Sequence, residues 1–107
     1  MNRAWVLLTI AGVLEVGWAI GLKYSDGFRK PLASTLTMVA LVASFWLLAQ
    51  ALKTLPVGTG YAVWTGIGAV GTAILGVVLF DEPRNAGRII SILLIVAGIV
   101  GLRLSAR

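Results

Sequence analysis

One carboxylate lies in the middle of an apolar stretch near the start of the chain. Glu15 follows Arg3 by twelve residues and precedes Lys23 by eight, and no other charge lies between these two cations. An ionisable group in such a stretch is costly in lipid and is a functional-site hypothesis by default, with a protonated, hydrogen-bonded structural carboxyl as the alternative. A site that takes up either a proton or a cation, and opens to one side at a time, describes an antiporter.

The neighbours of Glu15 on its helical face are small residues and one indole. Helical spacing places Ala11, Gly12, Trp18 and Ala19 on this face. The small residues leave room beside the carboxylate, and the Trp18 N–H is a donor that could reach it. We therefore predict that Trp18 lies at the site, although a lipid-facing anchor is the competing interpretation.

Two aromatic residues and two glycines on a later stretch are further candidates. Tyr61 and Trp64 are three apart, so they share a helical face and offer a hydroxyl and an aromatic surface to a cation. Ordinary packing, or an interfacial belt for Tyr61, is equally consistent with this spacing. Gly66 and Gly68 follow, and mid-span glycines permit a hinge, with close helix packing as the alternative.

Ser44 lies in the middle of the second apolar stretch. Its hydroxyl could orient Glu15. A helical serine also bonds back to a carbonyl of its own helix, and the residues alone favour this second interpretation.

The composition indicates that lipid is the solvent of this chain. Of its 107 residues, 59% are hydrophobic and 12% are charged. A soluble domain has about 45–50% apolar residues and about 25% charged residues. The mean hydropathy is +0.98. Cysteine and histidine are absent, so thiolate metal sites and the usual general base are excluded. We expect no enzyme activity, no metal and no cofactor.

Four apolar stretches have the length of membrane spans, which need about 20 residues. A cleavable signal peptide is the alternative for the first stretch, but Glu15 interrupts its apolar core. In the fourth stretch only Ile89 to Leu102 is free of charge, which is short for a span, and Arg88 and Arg103 are expected to snorkel to the interfaces and lengthen it. The predicted fold class is an all-α membrane protein of one domain, residues 1–107, with spans at about 4–22, 32–52, 57–80 and 86–104.

Small residues recur along the fourth span. Ser91, Gly98 and Ser105 are seven apart, and Gly87 and Gly101 lie on the same stripe. Small residues let helices approach closely in lipid, so we predict a dimer interface at Ser91, Gly98 and Gly101, with a bland lipid-facing surface as the alternative. Four short helices can hardly enclose a substrate path alone, and an oligomer is expected.

The distribution of cations gives almost no preferred orientation. The net charge is +5. We interpret the basic residues as topology signals and lipid headgroup anchors, because they form no basic face for nucleic acid. Because the two sides of the predicted topology hold four and five cations, both orientations are expected to insert, and an inverted pair could build a two-fold site. The four are Arg3, Lys53, Arg103 and Arg107, and the five are Lys23, Arg29, Lys30, Arg84 and Arg88.

The chain resembles a known family along nearly its whole length, and two stretches carry the matching motifs. Residues 10–28, which include Glu15, and residues 53–68, which include Trp64, are similar to those of small multidrug resistance transporters. Trp18, three residues after the glutamate, and Ser44 resemble the guanidinium-exporter subtype, whereas the quaternary-ammonium subtype usually has a small residue in the first position.

The resemblance implies an antiparallel homodimer that exchanges protons for guanidinium across the bacterial inner membrane. It implies that Glu15 binds substrate and proton, that Trp18 and Ser44 position it, that Tyr61 and Trp64 line the site, and that the fourth helix dimerises. Guanidinium is planar and its N–H donors match a carboxylate in bidentate fashion. The alternatives are a multidrug exporter of quaternary ammonium ions, and a non-transporting subunit or half of a heterodimer, for which a strong charge bias would be the cue.

Overall fold

The computed structural model describes residues 3–105, which form four α-helices and, within that range, no strand. Each helix has 20 to 24 residues and is long and apolar enough to cross a membrane. The predicted all-α class with four membrane-length helices is confirmed, while the antiparallel homodimer stays a prediction. The helices are α1 (Arg3–Tyr24), α2 (Pro31–Ala51), α3 (Val57–Phe80) and α4 (Ala86–Ser105).

The helix ends follow from local chemistry. Pro31 opens α2, where its fixed φ suits the first turn and its missing N–H costs nothing. The C-terminal end of α3 is closed by Asp81, which has a left-handed φ of 54°. The next N–H, from Glu82, then donates to the Gly76 carbonyl at 3.2 Å, as in common C-terminal caps.

Helix α1 is the centre of the packing, since it contacts both α2 and α3 along its length. α4 packs its backbone only along α3, and none of its described residues is buried. The buried core lies where the first half of α1 meets the second half of α2 and the first half of α3. It comprises Ala4, Trp5, Leu8, Ala11, Leu48, Ala51, Val63 and Trp64.

Close contact between α1 and α3 depends on two glycines, because neither has a side chain to separate the helices. A Cβ on Gly12 would overlap Ile67, and a Cβ on Gly71 would overlap Val16. These contacts lie on either side of Glu15 in α1, so the carboxylate is in a closely packed part of this interface. We call it the α1/α3 seam: Gly12, Glu15, Val16 and Ala19 of α1 with Ile67, Gly68, Gly71 and Thr72 of α3.

Candidate functional site

Glu15 points into the α1/α3 seam, against the backbone of Gly68. A Cβ on Gly68 would overlap the Glu15 carboxyl group. The residue is partly buried, and its Oε1 is buried without a hydrogen-bond partner among the described residues. A buried carboxyl oxygen normally has a donor. The seam therefore presents an acceptor that this protomer leaves open to a proton or to a donor-bearing ligand.

Ser44 connects α1, α2 and α3 through hydrogen bonds one helical turn before Glu15. Its hydroxyl donates to the Ala11 carbonyl of α1 at 2.7 Å, and the Trp64 indole N–H donates to the Ser44 Oγ at 3.0 Å. Ser44 is fully buried. The residue-based interpretation of a bond to a carbonyl of α2 itself is thus wrong, and Ser44 makes no hydrogen bond to Glu15. It fixes α1, one turn before Glu15, against Trp64.

Four aromatic rings form a row across the same side of the three helices. Trp18 meets Phe45 edge-on with centroids 6.4 Å apart, Phe45 lies 5.4 Å from Trp64, and Trp64 lies 5.5 Å from Tyr61. Trp64 is 4% exposed and Tyr61 56%. The sequence had pointed to three of these rings. Phe45 was missed, and its only signal is its place next to Ser44.

The Trp18 indole does not reach the carboxylate of its own chain. Its Nε1 is buried and has no hydrogen-bond partner in the described part of the protein. The donor and the Glu15 acceptor are thus both unpartnered. Their predicted contact is not made within one protomer.

Both predicted hinge glycines take part in close packing. Gly68 contacts Glu15, and a Cβ on Gly66 would crowd the side chain of Ile99 on α4. α3 continues as one helix through both positions. Packing is therefore the role that the structure gives these residues, and hinge motion stays a prediction.

The predicted dimer stripe of α4 is uncovered. Ser91, Gly98 and Gly101 are exposed, and no other described atom lies within 4 Å of a Cβ built on either glycine. The Ser91 hydroxyl donates to the Gly87 carbonyl of its own helix at 2.8 Å. A partner can therefore approach this face closely, and the interface itself stays a prediction.

The two arginines that flank α4 make specific contacts. The Arg88 Nη2 donates to the Ala73 carbonyl at 3.0 Å and to the Glu82 Oε1 at 2.7 Å. Arg103 lies over the Trp5 ring, 4.7 Å from its centroid. Both side chains turn back onto α1 or α3, so they attach α4 to the other helices in addition to any contact with headgroups.

Four membrane-length helices, with a carboxylate in the contact between α1 and α3, define a small multi-pass membrane protein. The chain belongs to the small multidrug resistance family, because the family model described as "Small Multidrug Resistance protein" matches residues 3–95. The resemblance of the sequence motifs is thereby confirmed.

Similar proteins of this family carry the name "Guanidinium exporter". The protein of Yersinia pseudotuberculosis is 62% identical over 96% of this chain and 99% of its own length. The protein of Salmonella typhimurium is 57% identical over 96% of this chain and 98% of its own length. The protein of Escherichia coli K12 is 58% identical over 95% of this chain and 97% of its own length. The similarity therefore extends over the whole helical bundle.

Proposed function

We propose that this protein is a proton-coupled antiporter that exports guanidinium and small guanidinyl cations across the bacterial inner membrane by alternating access. The observation that carries the proposal is the buried, unpartnered Oε1 of Glu15 in the α1/α3 seam. The name of relatives at 57% to 62% identity supports the choice of substrate.

The chemistry of Glu15 accounts for the exchange. A carboxylate that binds a proton has lost the charge that holds a cation, so one site serves the two ions in turn. Guanidinium presents N–H donors in a plane, and these match the two oxygens of a carboxylate. In the proposed antiparallel homodimer two Glu15 side chains face the substrate, and the unpartnered Trp18 N–H of either protomer is a donor that can hold them in place.

One observation favours a second substrate class. The row of Trp18, Phe45, Trp64 and Tyr61 offers aromatic surface to a cation through its exposed members Phe45 and Tyr61, which suits quaternary ammonium compounds. Counterflow in proteoliposomes separates the two functions. The guanidinium exporter exchanges labelled guanidinium and ignores a bulky aromatic cation, whereas the multidrug exporter does the reverse.

Replacement of Glu15 tests the shared site. Glu15→Gln keeps the shape of the side chain and removes its charge, so guanidinium uptake and the coupled proton release are expected to fall to the level of empty liposomes. The dimer, measured by cross-linking, should be unchanged.

Asp26→Asn is the matched control. Asp26 is an exposed carboxylate between α1 and α2 whose contact with Arg29 is 3.9 Å long. Its loss should leave transport at the wild-type level. Proton-coupled guanidinium exchange by the Glu15→Gln variant would show that proton and cation do not share this carboxylate.

A further inference from the structure

Thr72 of α3 lacks the hydrogen bond to its own helix that several other helical hydroxyl groups make, and Ser34 of α2 shares this lack. Thr9, Thr37 and Ser91 each donate to the carbonyl four residues earlier, at 2.7 to 2.8 Å, which is the usual arrangement for a helical hydroxyl. The Thr72 Oγ1 is buried and has no hydrogen-bond partner among the described residues. Its hydroxyl is therefore free to bond to a group in the space beside it.

That space is a cavity of about 310 Å³ between α1 and α3. Ala19 and Thr72 line one end of it, and Lys23, Phe80 and Glu82 line the end near the C-terminus of α3. Small residues keep the middle open. A cavity of this size with polar groups in its wall has room for several water molecules.

The cavity continues the line of Glu15 along the seam. Ala19 and Lys23 follow Glu15 at intervals of four residues, and Thr72 follows Gly68 by four. One helical turn, about 5.4 Å, thus separates the Glu15 contact from the start of the cavity. Two buried polar atoms without partners, the Glu15 Oε1 and the Thr72 Oγ1, therefore lie one turn apart on the same seam.

The far end of the cavity is suited to protons and unsuited to guanidinium. The Glu82 Oε1 already accepts a hydrogen bond from the guanidinium group of Arg88 at 2.7 Å, and the Lys23 ammonium lies 5.8 Å from the Phe80 ring centroid. A free guanidinium ion meets two cations there and a carboxylate that is already paired. A proton needs only a lone pair of Glu82 or of water.

We propose that this cavity is the proton route of Glu15, with the Thr72 hydroxyl as its relay. When a cation displaces the proton of Glu15, that proton passes to water. Water then protonates the Thr72 oxygen, which releases its own hydrogen to water on the side of Glu82. The hydroxyl is unchanged after each transfer, and the proton leaves at the end of α3. This inference rests on the proposed function and gives protons a path distinct from that of the substrate.

The test separates proton movement from substrate movement. Exchange of labelled for unlabelled guanidinium at equal pH needs no net proton transfer, whereas uptake driven by a pH gradient does. Thr72→Val and Thr72→Ala should keep wild-type exchange and lose about tenfold or more in gradient-driven uptake, a modest share of what a positioned proton-transfer group contributes. Thr72→Ser should restore uptake.

Thr35→Val is the matched control, because Thr35 is an exposed threonine on α2. It should match the wild type in both assays. Gradient-driven uptake by the Thr72 variants equal to that of Thr35→Val refutes the relay and leaves the proposed function intact. A parallel loss of exchange and uptake assigns Thr72 to packing and also refutes it. Absence of guanidinium exchange in the wild type instead refutes the proposed function.

Discussion

The Trp18 side chain has a packed ring and an indole N–H that donates no hydrogen bond. Its ring meets Phe45 edge-on at 6.4 Å, while its buried N–H has no acceptor among the described residues. A buried donor without a partner costs about 1–3 kcal/mol. In the proposed dimer a carboxylate is the natural acceptor, since it is the group in the same region that lacks a donor.

Trp18→Gly should weaken guanidinium transport and admit bulkier cations. Loss of a hydrogen bond to a charged group is worth about 1.5–3 kcal/mol, so a loss of tenfold or more in guanidinium uptake is expected. Loss of the ring also opens space beside Phe45 for an alkyl or aryl group. Uptake of guanidinium and of a bulky quaternary ammonium ion, measured side by side, gives the ratio that should change.

Trp46→Gly provides the comparison for this substitution, because Trp46 is 60% exposed on α2. It carries the same change in helix propensity without a contact to the aromatic row. The same substrate ratio in both variants would assign Trp18 to membrane anchoring.

Glu15 could be identified from the sequence because a single charge in an apolar stretch is visible without any structure. The hydrogen-bond partner of Ser44 could not be identified from the sequence, because the Ala11 carbonyl lies 33 residues away. The position of that carbonyl depends on how α1 and α2 are rotated against each other. Thr72 escaped notice for the opposite reason: a helical threonine is expected to bond to its own helix, and only the packed structure shows that it does not.

At the level of helices, the contact of Gly68 with Glu15 makes α3 a wall of the site. Gly68→Ala adds a methyl group where the carboxyl now lies, so Glu15 must move or the two helices must separate. A displacement of about 1 Å at a reacting group can cost on the order of 100-fold in rate. Guanidinium exchange in proteoliposomes should fall by a comparable factor.

Gly58→Ala is the control in the same helix, because a Cβ on Gly58 meets no other described atom within 4 Å. Alanine has a higher helix propensity than glycine, and Gly58 is in the first turn of α3, so this variant should be at least as stable as the wild type and fully active. Wild-type exchange by Gly68→Ala would show that Glu15 does not need its present position.

Helix α4 supplies a second prediction at this scale. Gly98→Ile places a branched side chain on the exposed stripe that is predicted to meet a partner, and overpacking of a close contact costs about 1–3 kcal/mol. The dimer fraction in liposomes, measured by energy transfer between labelled protomers, should fall. Val100→Phe enlarges a residue on the opposite side of the helix and should leave the fraction unchanged.

The number of helices could be read from hydropathy, because each apolar stretch has the length of a span. The attachment of α4 could not. Arg88 was expected to extend toward the interface, but its Nη2 donates to the Ala73 carbonyl and to Glu82. Such a contact depends on the path of the connection after Phe80, where the left-handed Asp81 turns the chain. Hydropathy contains no information on that path.

For the whole molecule, the near balance of cations predicts dual orientation. The chain has no cysteine, so Ser105→Cys introduces a single thiol at the end of α4. In intact cells, an impermeant reagent should label about half of the molecules from outside, since neither orientation is favoured. Labelling of all molecules from one side would exclude the inverted homodimer.

A charge-shifted variant checks the same reasoning. Replacement of Arg29, Lys30 and Arg84 by serine lowers the count on their side from five cations to two, against four on the other. The side with four should then lie in the cytoplasm. The thiol at residue 105 should be protected from the external reagent, and transport should fall because inverted partners are missing.

The absence of buried residues from α4 has a consequence for biosynthesis. Among the four helices, α4 is synthesised after α1, α2 and α3, which can by then bury their shared core and close the Ser44 hydrogen bonds. Each chain can thus complete its three-helix core before its predicted pairing surface has left the translocon. Two protomers of opposite orientation need not be made together: each can fold alone, diffuse in the bilayer and pair later, so the concentration of chains in the membrane would set how much active transporter forms.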